Sequence, residues 1–106
     1  MKMRVFKKYG NRKLYCTENS KYVTFNDLID CIRDGYRVAI IPHGKVITDT
    51  EAILNGSRHI LRCVGQNINT FSDSTVVLLT NVLYDSWLLQ GEFDFGSYKE
   101  EERCIN

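Results

Sequence analysis

Lys7, Lys8, Arg12 and Lys13, with Lys21 shortly after, gather positive charge at the start of the chain. Positions 1–15 hold six basic residues, Lys2, Arg4, Lys7, Lys8, Arg12 and Lys13, and no acidic one. The formal net charge of the whole chain is only +1, so the concentration is local. Tyr9, Tyr15, Tyr22 and Asn11 are threaded through it. Cationic side chains on a short ordered element neutralise phosphates, and planar hydrogen-bonding groups read base edges. In that chemistry Lys7, Lys8 and Lys21 hold phosphates, and Lys13 belongs to the same surface. Asn11 and Arg12 are the base readers, because Asn forks onto adenine and Arg onto guanine. Tyr9 adds a hydroxyl for a phosphate oxygen. The plainer reading is a solvated hairpin face whose tyrosines are core aromatics with their hydroxyls at the surface.

Other chemistries have little to stand on. His43 and His59 are the only histidines, and neither has a Ser, Cys or carboxylate at a spacing that signals a triad or a metal site. Asp27, Asp30 and Asp34 read as capping and solubility. There is no Gly-rich phosphate loop and no C-x-x-C pair. No catalysis, metal or cofactor is expected. No apolar run follows the basic start, and the most apolar stretch, 76–89, is too short and too polar to span a bilayer. The expectation is a cytoplasmic protein with four reduced thiols.

A length of 106 residues and a hydrophobic content of 43% suit one small domain, for which oligomerisation is a natural source of further stability. Strands are expected over 3–8, 13–16 and 21–23, with Gly10-Asn11 turning the first pair. Thr24 with Asp27 forms a capping box for a helix whose stripe is Phe25, Leu28, Ile29 and Ile32, closed by Gly35. Residues 36–41 read as a strand, turned by Pro42-His43-Gly44 into a hairpin partner at 45–47. Thr48 and Glu51 start a helix over 49–67, with Ile53, Ile60, Leu61 and Val64 inward and a break allowed at Gly56. Ser72 caps a last helix running to 89 or 90, stapled by Phe71 and Val76 and ended by Gly91. That helix is apolar on more faces than a small core needs. It is therefore expected at a subunit interface through Val76, Leu79, Leu83 and Trp87; the alternative is that Tyr84 and Trp87 anchor another partner.

Residues 7–28 resemble the N-terminal DNA-binding domain of the polyhydroxyalkanoate accumulation regulators. Those bacterial repressors carry K-K-Y-P-N-R-R-L-Y-D-T followed by S-x-Y-[IV]-T-L-x-D-L. This chain reads Lys7-Lys8-Tyr9-Gly10-Asn11-Arg12-Lys13-Leu14-Tyr15-Cys16-Thr17, then Ser20-Lys21-Tyr22-Val23-Thr24-Phe25-Asn26-Asp27-Leu28. His43-Gly44-Lys45-Val46-Ile47-Thr48 is similar to the family's T-G-x-D-I-T, and Phe71-Ser72 with the helix after it resembles a second family segment more loosely. Gly10 replaces the motif's Pro, which loosens the turn. Cys16 replaces an Asp and removes an acceptor. Lys13 in place of Arg gives up a bidentate fork.

The expected fold class is α+β: a small antiparallel N-terminal β-ribbon or sheet with packed helices and a C-terminal apolar helix. The expected organisation is one regulator-like domain over 1–90, with the basic ribbon, helix and hairpin in 1–48 and a helical dimerisation part in 49–90. An acidic flexible tail is expected over 91–106. The resemblance implies a DNA-binding transcriptional repressor with double-stranded DNA as partner; it says little about polymer granules, whose surface is a third option through the exposed parts of 76–89. Self-association as a homodimer or tetramer follows from the last helix. The competing expectation is a non-catalytic protein-binding module or inhibitor that turns the same basic face to an acidic protein.

Overall fold

A computed structural model describes residues 2–10 and 13–90. The first strand, β1 (Lys2–Tyr9), pairs antiparallel with β2 (Lys13–Cys16), which pairs antiparallel with β3 (Lys21–Val23). Between β1 and β2 lies Gly10 at a φ of 51°, in the left-handed region that glycine enters without a Cβ clash. Helix α1 (Phe25–Arg33) then carries the chain across the sheet to β4 (Tyr36–Pro42), which pairs parallel with β1. The strand order is β3-β2-β1-β4. Helix α2 (Asp49–Cys63), a 3₁₀ turn over Ile68–Thr70 and helix α3 (Asp73–Gln90) complete the described fold.

The helix starts follow their sequence signals. The Thr24 hydroxyl accepts from the Asp27 N–H, and the Asp27 carboxylate accepts from the Thr24 N–H, so the capping box is closed. Thr48 accepts from the Glu51 N–H, and Ser72 from the Thr75 N–H. Phe25, Leu28, Ile29 and Ile32 bury the inner face of α1 against Phe6, Leu14, Val38 and Ile40 of the sheet, with Trp87 and Tyr84 of α3 in the same cluster. Leu61, Ile68 and Val76 form a second cluster between α2 and α3, where Phe71 packs as the staple requires.

Five expectations need correction. The sheet is mixed rather than purely antiparallel, because β4 returns beside β1 in parallel register, Phe6 opposite Ile40 and Lys8 opposite Pro42. Residues 45–47 form no hairpin strand, and Val46 is fully exposed. The outer edge of β4, where a hairpin partner would pair, is already taken by helices. Tyr84 Oη accepts from the Val38 N–H, Asn55 donates to the Ile40 carbonyl, and Gly56 of α2 lies flat against Val38. A Cβ at Gly56 would sit 2.0 Å from the Val38 carbonyl oxygen, so this glycine is a close-packing site and not a helix break. Helix α2 also ends earlier than expected, with Val64 as its C-cap and Gly65 at a φ of 89°. Cys16 and Cys31 are free thiols, whereas Cys63 is disulfide-bonded, which departs from the expectation of four reduced thiols.

Candidate nucleic-acid interface

Strand periodicity sorts the basic residues onto two faces of the sheet. Phe6 is buried under the helices, so Lys8, two residues on, also points to that side. Lys7 and Tyr9 point to the other side, and the pairing of Lys7 with Tyr15, Tyr9 with Lys13 and Tyr15 with Tyr22 places Tyr15, Lys13 and Tyr22 there too. Lys21, next to Tyr22, falls on the helix side and reaches toward Asp27 at 4.0 Å. The expected phosphate set is thus divided: Lys7 and Lys13 with the tyrosines, Lys8 and Lys21 opposite. Asn11 and Arg12, the expected base readers, lie outside the described residues.

On the open face the aromatic rings form a continuous line. His43 stacks on Tyr9, with ring centroids 4.2 Å apart and planes at 27°. Tyr9 meets Tyr15 edge to face at 5.8 Å, and Tyr15 meets Tyr22 in the same way at 5.5 Å. The Lys13 ammonium lies 5.2 Å from the centre of the Tyr22 ring. Edge-to-face packing helps to fix neighbouring rings in place. The backbone at His43 is held in place by its amide N–H, which donates to the Lys8 carbonyl at 2.9 Å. The result is a firm surface with hydroxyls, two lysines and flat ring faces, ending at the β1–β2 turn. His43 was assigned no role by the sequence; only its place in the turn after β4, beside the end of β1, brings it to Tyr9.

The remaining cations near the sheet have other work. Arg4 bonds Glu18 at 2.6 Å and lies over the Tyr36 ring, where Lys2 also sits. Arg37 donates to Asn81 and lies over Tyr84. Burial pushes the Tyr84 hydroxyl up to about 12, so it stays protonated as it closes the β4 edge.

The expected interface residues of α3 are distributed by depth. Val76 and Trp87 are enclosed by the chain's own core, and Leu79 and Leu83 pack against that core in part. The apolar side chains of α3 that remain outward are Leu78, Val82, Leu88 and Leu89, the last 86% exposed. Among the described residues no group of three or more His, Cys, Asp or Glu side chains is placed to hold a metal, and no helix is long and apolar enough to cross a membrane.

Nothing among the curated proteins or the solved structures matches the chain. Residues 5–54, which span β1 through the first turns of α2, match the family described as the PHB/PHA accumulation regulator DNA-binding domain. The aromatic line and the divided basic cluster both lie within that segment, so it is residues 5–54 that carry the likeness to the PHB/PHA accumulation regulator DNA-binding domain.

Proposed function

We propose that this protein is a transcriptional repressor that reads duplex DNA with the β1–β2 turn and its flanking open sheet face. It has no catalytic step of its own, acts in the cytoplasm on the DNA there, and works as a homodimer. The observation that carries the reading is the firm surface of Lys7, Tyr9, Lys13, Tyr15 and Tyr22 beside a turn that contains Asn11 and Arg12, all within the matched segment. Lysines on the flanks set register on the phosphates, and the turn residues enter the major groove. Because β1 is anchored to β4 as far as the Lys8–Pro42 pair, base reading falls to the short segment between β1 and β2. A segment this short reads few base pairs, so two copies are needed for a useful site.

The test is fluorescence anisotropy of duplex DNA from the protein's own upstream region, against a scrambled duplex, over a salt series. Selective binding with a steep salt dependence is expected, and Arg12→Ala should relax the selectivity. Folded protein that ignores both duplexes at low salt sinks the reading, and the basic face then belongs to an acidic protein partner.

A further inference from the structure

On the helix side of the sheet, at the carboxyl ends of the parallel pair β1 and β4, a pocket of about 180 Å³ opens toward α2. Lys8, Ile40, Pro42, Asn55, Arg58, His59 and Arg62 line it. Crevices at the carboxyl ends of parallel strands are where open α/β sheets hold ligands. The volume is below that of pockets for drug-sized molecules, and suits a single small group.

The lining is cationic and contains a buried ring nitrogen with no hydrogen-bond partner. His59 is only 8% exposed, and its Nε2 is buried with no hydrogen-bond partner. A buried polar atom without a partner costs about 1–3 kcal/mol, so something that supplies one is favoured there. Lys8 and Arg62 line the same pocket as the His59 ring, and burial, helped by these two like charges, holds its pKa down at about 4. The ring is therefore neutral near pH 7. Arg58 is committed to Asp73 at 2.6 Å, and Asn55 to the Ile40 carbonyl at 3.2 Å. Those contacts fix the walls and leave His59 and Arg62 to face an incoming group.

We propose that this pocket is an oxyanion site for one phosphate group, bound by the His59 Nε2–H and by Arg62, with Lys8 adding positive charge to the lining. Three features suit an anion: two cations lining the pocket with one ring, a buried ring nitrogen without a partner, and no carboxylate among the described lining residues. Arginine gives the planar fork that phosphate oxygens accept. The phosphate group has two sources. It is either a backbone phosphate of DNA held at the adjacent β1–β2 turn, or a free or small-molecule phosphate. The site itself does not depend on the DNA reading, since a free phosphate suffices to fill it.

The experiment is an NMR titration of the isotope-labelled full chain with inorganic phosphate in a phosphate-free buffer, following the His59 imidazole and the Asn55 side-chain amide. Chloride at matched ionic strength is the control. Saturable movement of both signals with phosphate alone is expected, and Arg62→Ala, at an exposed position that leaves the core intact, should weaken it by about tenfold or more. His59→Gln, which keeps a donor of similar reach, should retain part of the affinity. Shifts that chloride reproduces, or that Arg62→Ala leaves unchanged, overturn the proposal. A short duplex added to the phosphate-saturated protein then identifies the source. Displacement of the phosphate marks a backbone phosphate, and simultaneous binding marks a small phosphorylated ligand; both outcomes keep the site.

Discussion

Single residues carry two of the sharpest consequences of this fold. Gly56 is helical and faces Val38, where a methyl group would fall 2.0 Å from a backbone oxygen. Alanine is the better helix former by about 1 kcal/mol, but here the helix must lift off the strand to admit it. Overpacking against backbone costs about 1–3 kcal/mol or more, and the Asn55 and Tyr84 contacts to the same edge loosen with it. Gly56→Ala should lower the urea midpoint with an unchanged slope, for a net loss of about 2 kcal/mol; a neutral or higher midpoint would remove this account. His59 supplies the second. Its pKa is depressed to about 4 when folded, against about 6.5 for the free side chain. The unfolded chain therefore takes up a proton first as pH falls. Stability is full above about 6.5 and declines from there down to about 4, by roughly 2 kcal/mol at pH 5. Thermal melts in phosphate-free buffer should show that decline, and His59→Gln should flatten it. Added phosphate should also reduce it, because an anion beside the ring favours the charged form.

At the scale of elements, the question is which face of the sheet meets DNA. Each lysine that neutralises a phosphate contributes about one unit to the slope of log affinity against log salt. The double substitution Lys7→Ala/Lys13→Ala should reduce that slope by about two. Lys21→Ala should leave it unchanged, since Lys21 lies on the opposite side beside Asp27. Equal effects from all three would mean that the turn alone, and not the open face, sets the binding. The division of Lys7 from Lys8 was open to reading in the sequence, because adjacent strand residues must point to opposite faces. Thr24, Asp27 and Gly35 likewise announced α1, since capping depends on local side chains and local φ. The parallel return of β4 was harder to see. Residues 36–41 followed by Pro42-His43-Gly44 carry the local chemistry of a hairpin, and local chemistry cannot reveal that Gly56, Asn55 and Tyr84 compete for the same edge. The run Val38-Ala39-Ile40, fully buried, did hold a clue, because strands of parallel pairs read as continuous apolar runs. The meeting of His43 with Tyr9, and of Lys8 with His59 and Arg62, depends on that same strand placement and was hidden with it.

For the whole molecule, the unspent surface is on α3. One side of this helix completes the core through Val76, Thr80, Tyr84 and Trp87. Thr80 satisfies its hydroxyl within the structure by donating to the Val76 carbonyl at 2.8 Å. The opposite side presents Leu78, Val82 and Leu89, at 64%, 55% and 86% exposure, on a stripe spaced by four and seven residues as a helix requires. Leu78 also borders an open groove of about 610 Å³ between α2 and α3, with Ile53, Leu54 and Val77. Isolated exposed apolar residues are ordinary, but a stripe joined to an apolar groove marks an association surface. A second copy is the occupant that suits the proposed repressor, because two-fold pairing presents two turns to a repeated site. Asp85 falls within the stripe, so the contact gains less than an unbroken apolar seam. Leu78→Glu combined with Val82→Glu would place two carboxylates in that contact, and an unpaired charge costs several kcal/mol to bury. The variant should remain folded, since both side chains already face solvent, yet run as a monomer in light scattering at concentrations where the parent runs as a dimer. Its affinity for duplex DNA should fall by at least about 30-fold, equivalent to roughly 2 kcal/mol. A parent protein that is monomeric at every concentration would remove the dimer and leave single-copy binding at the turn.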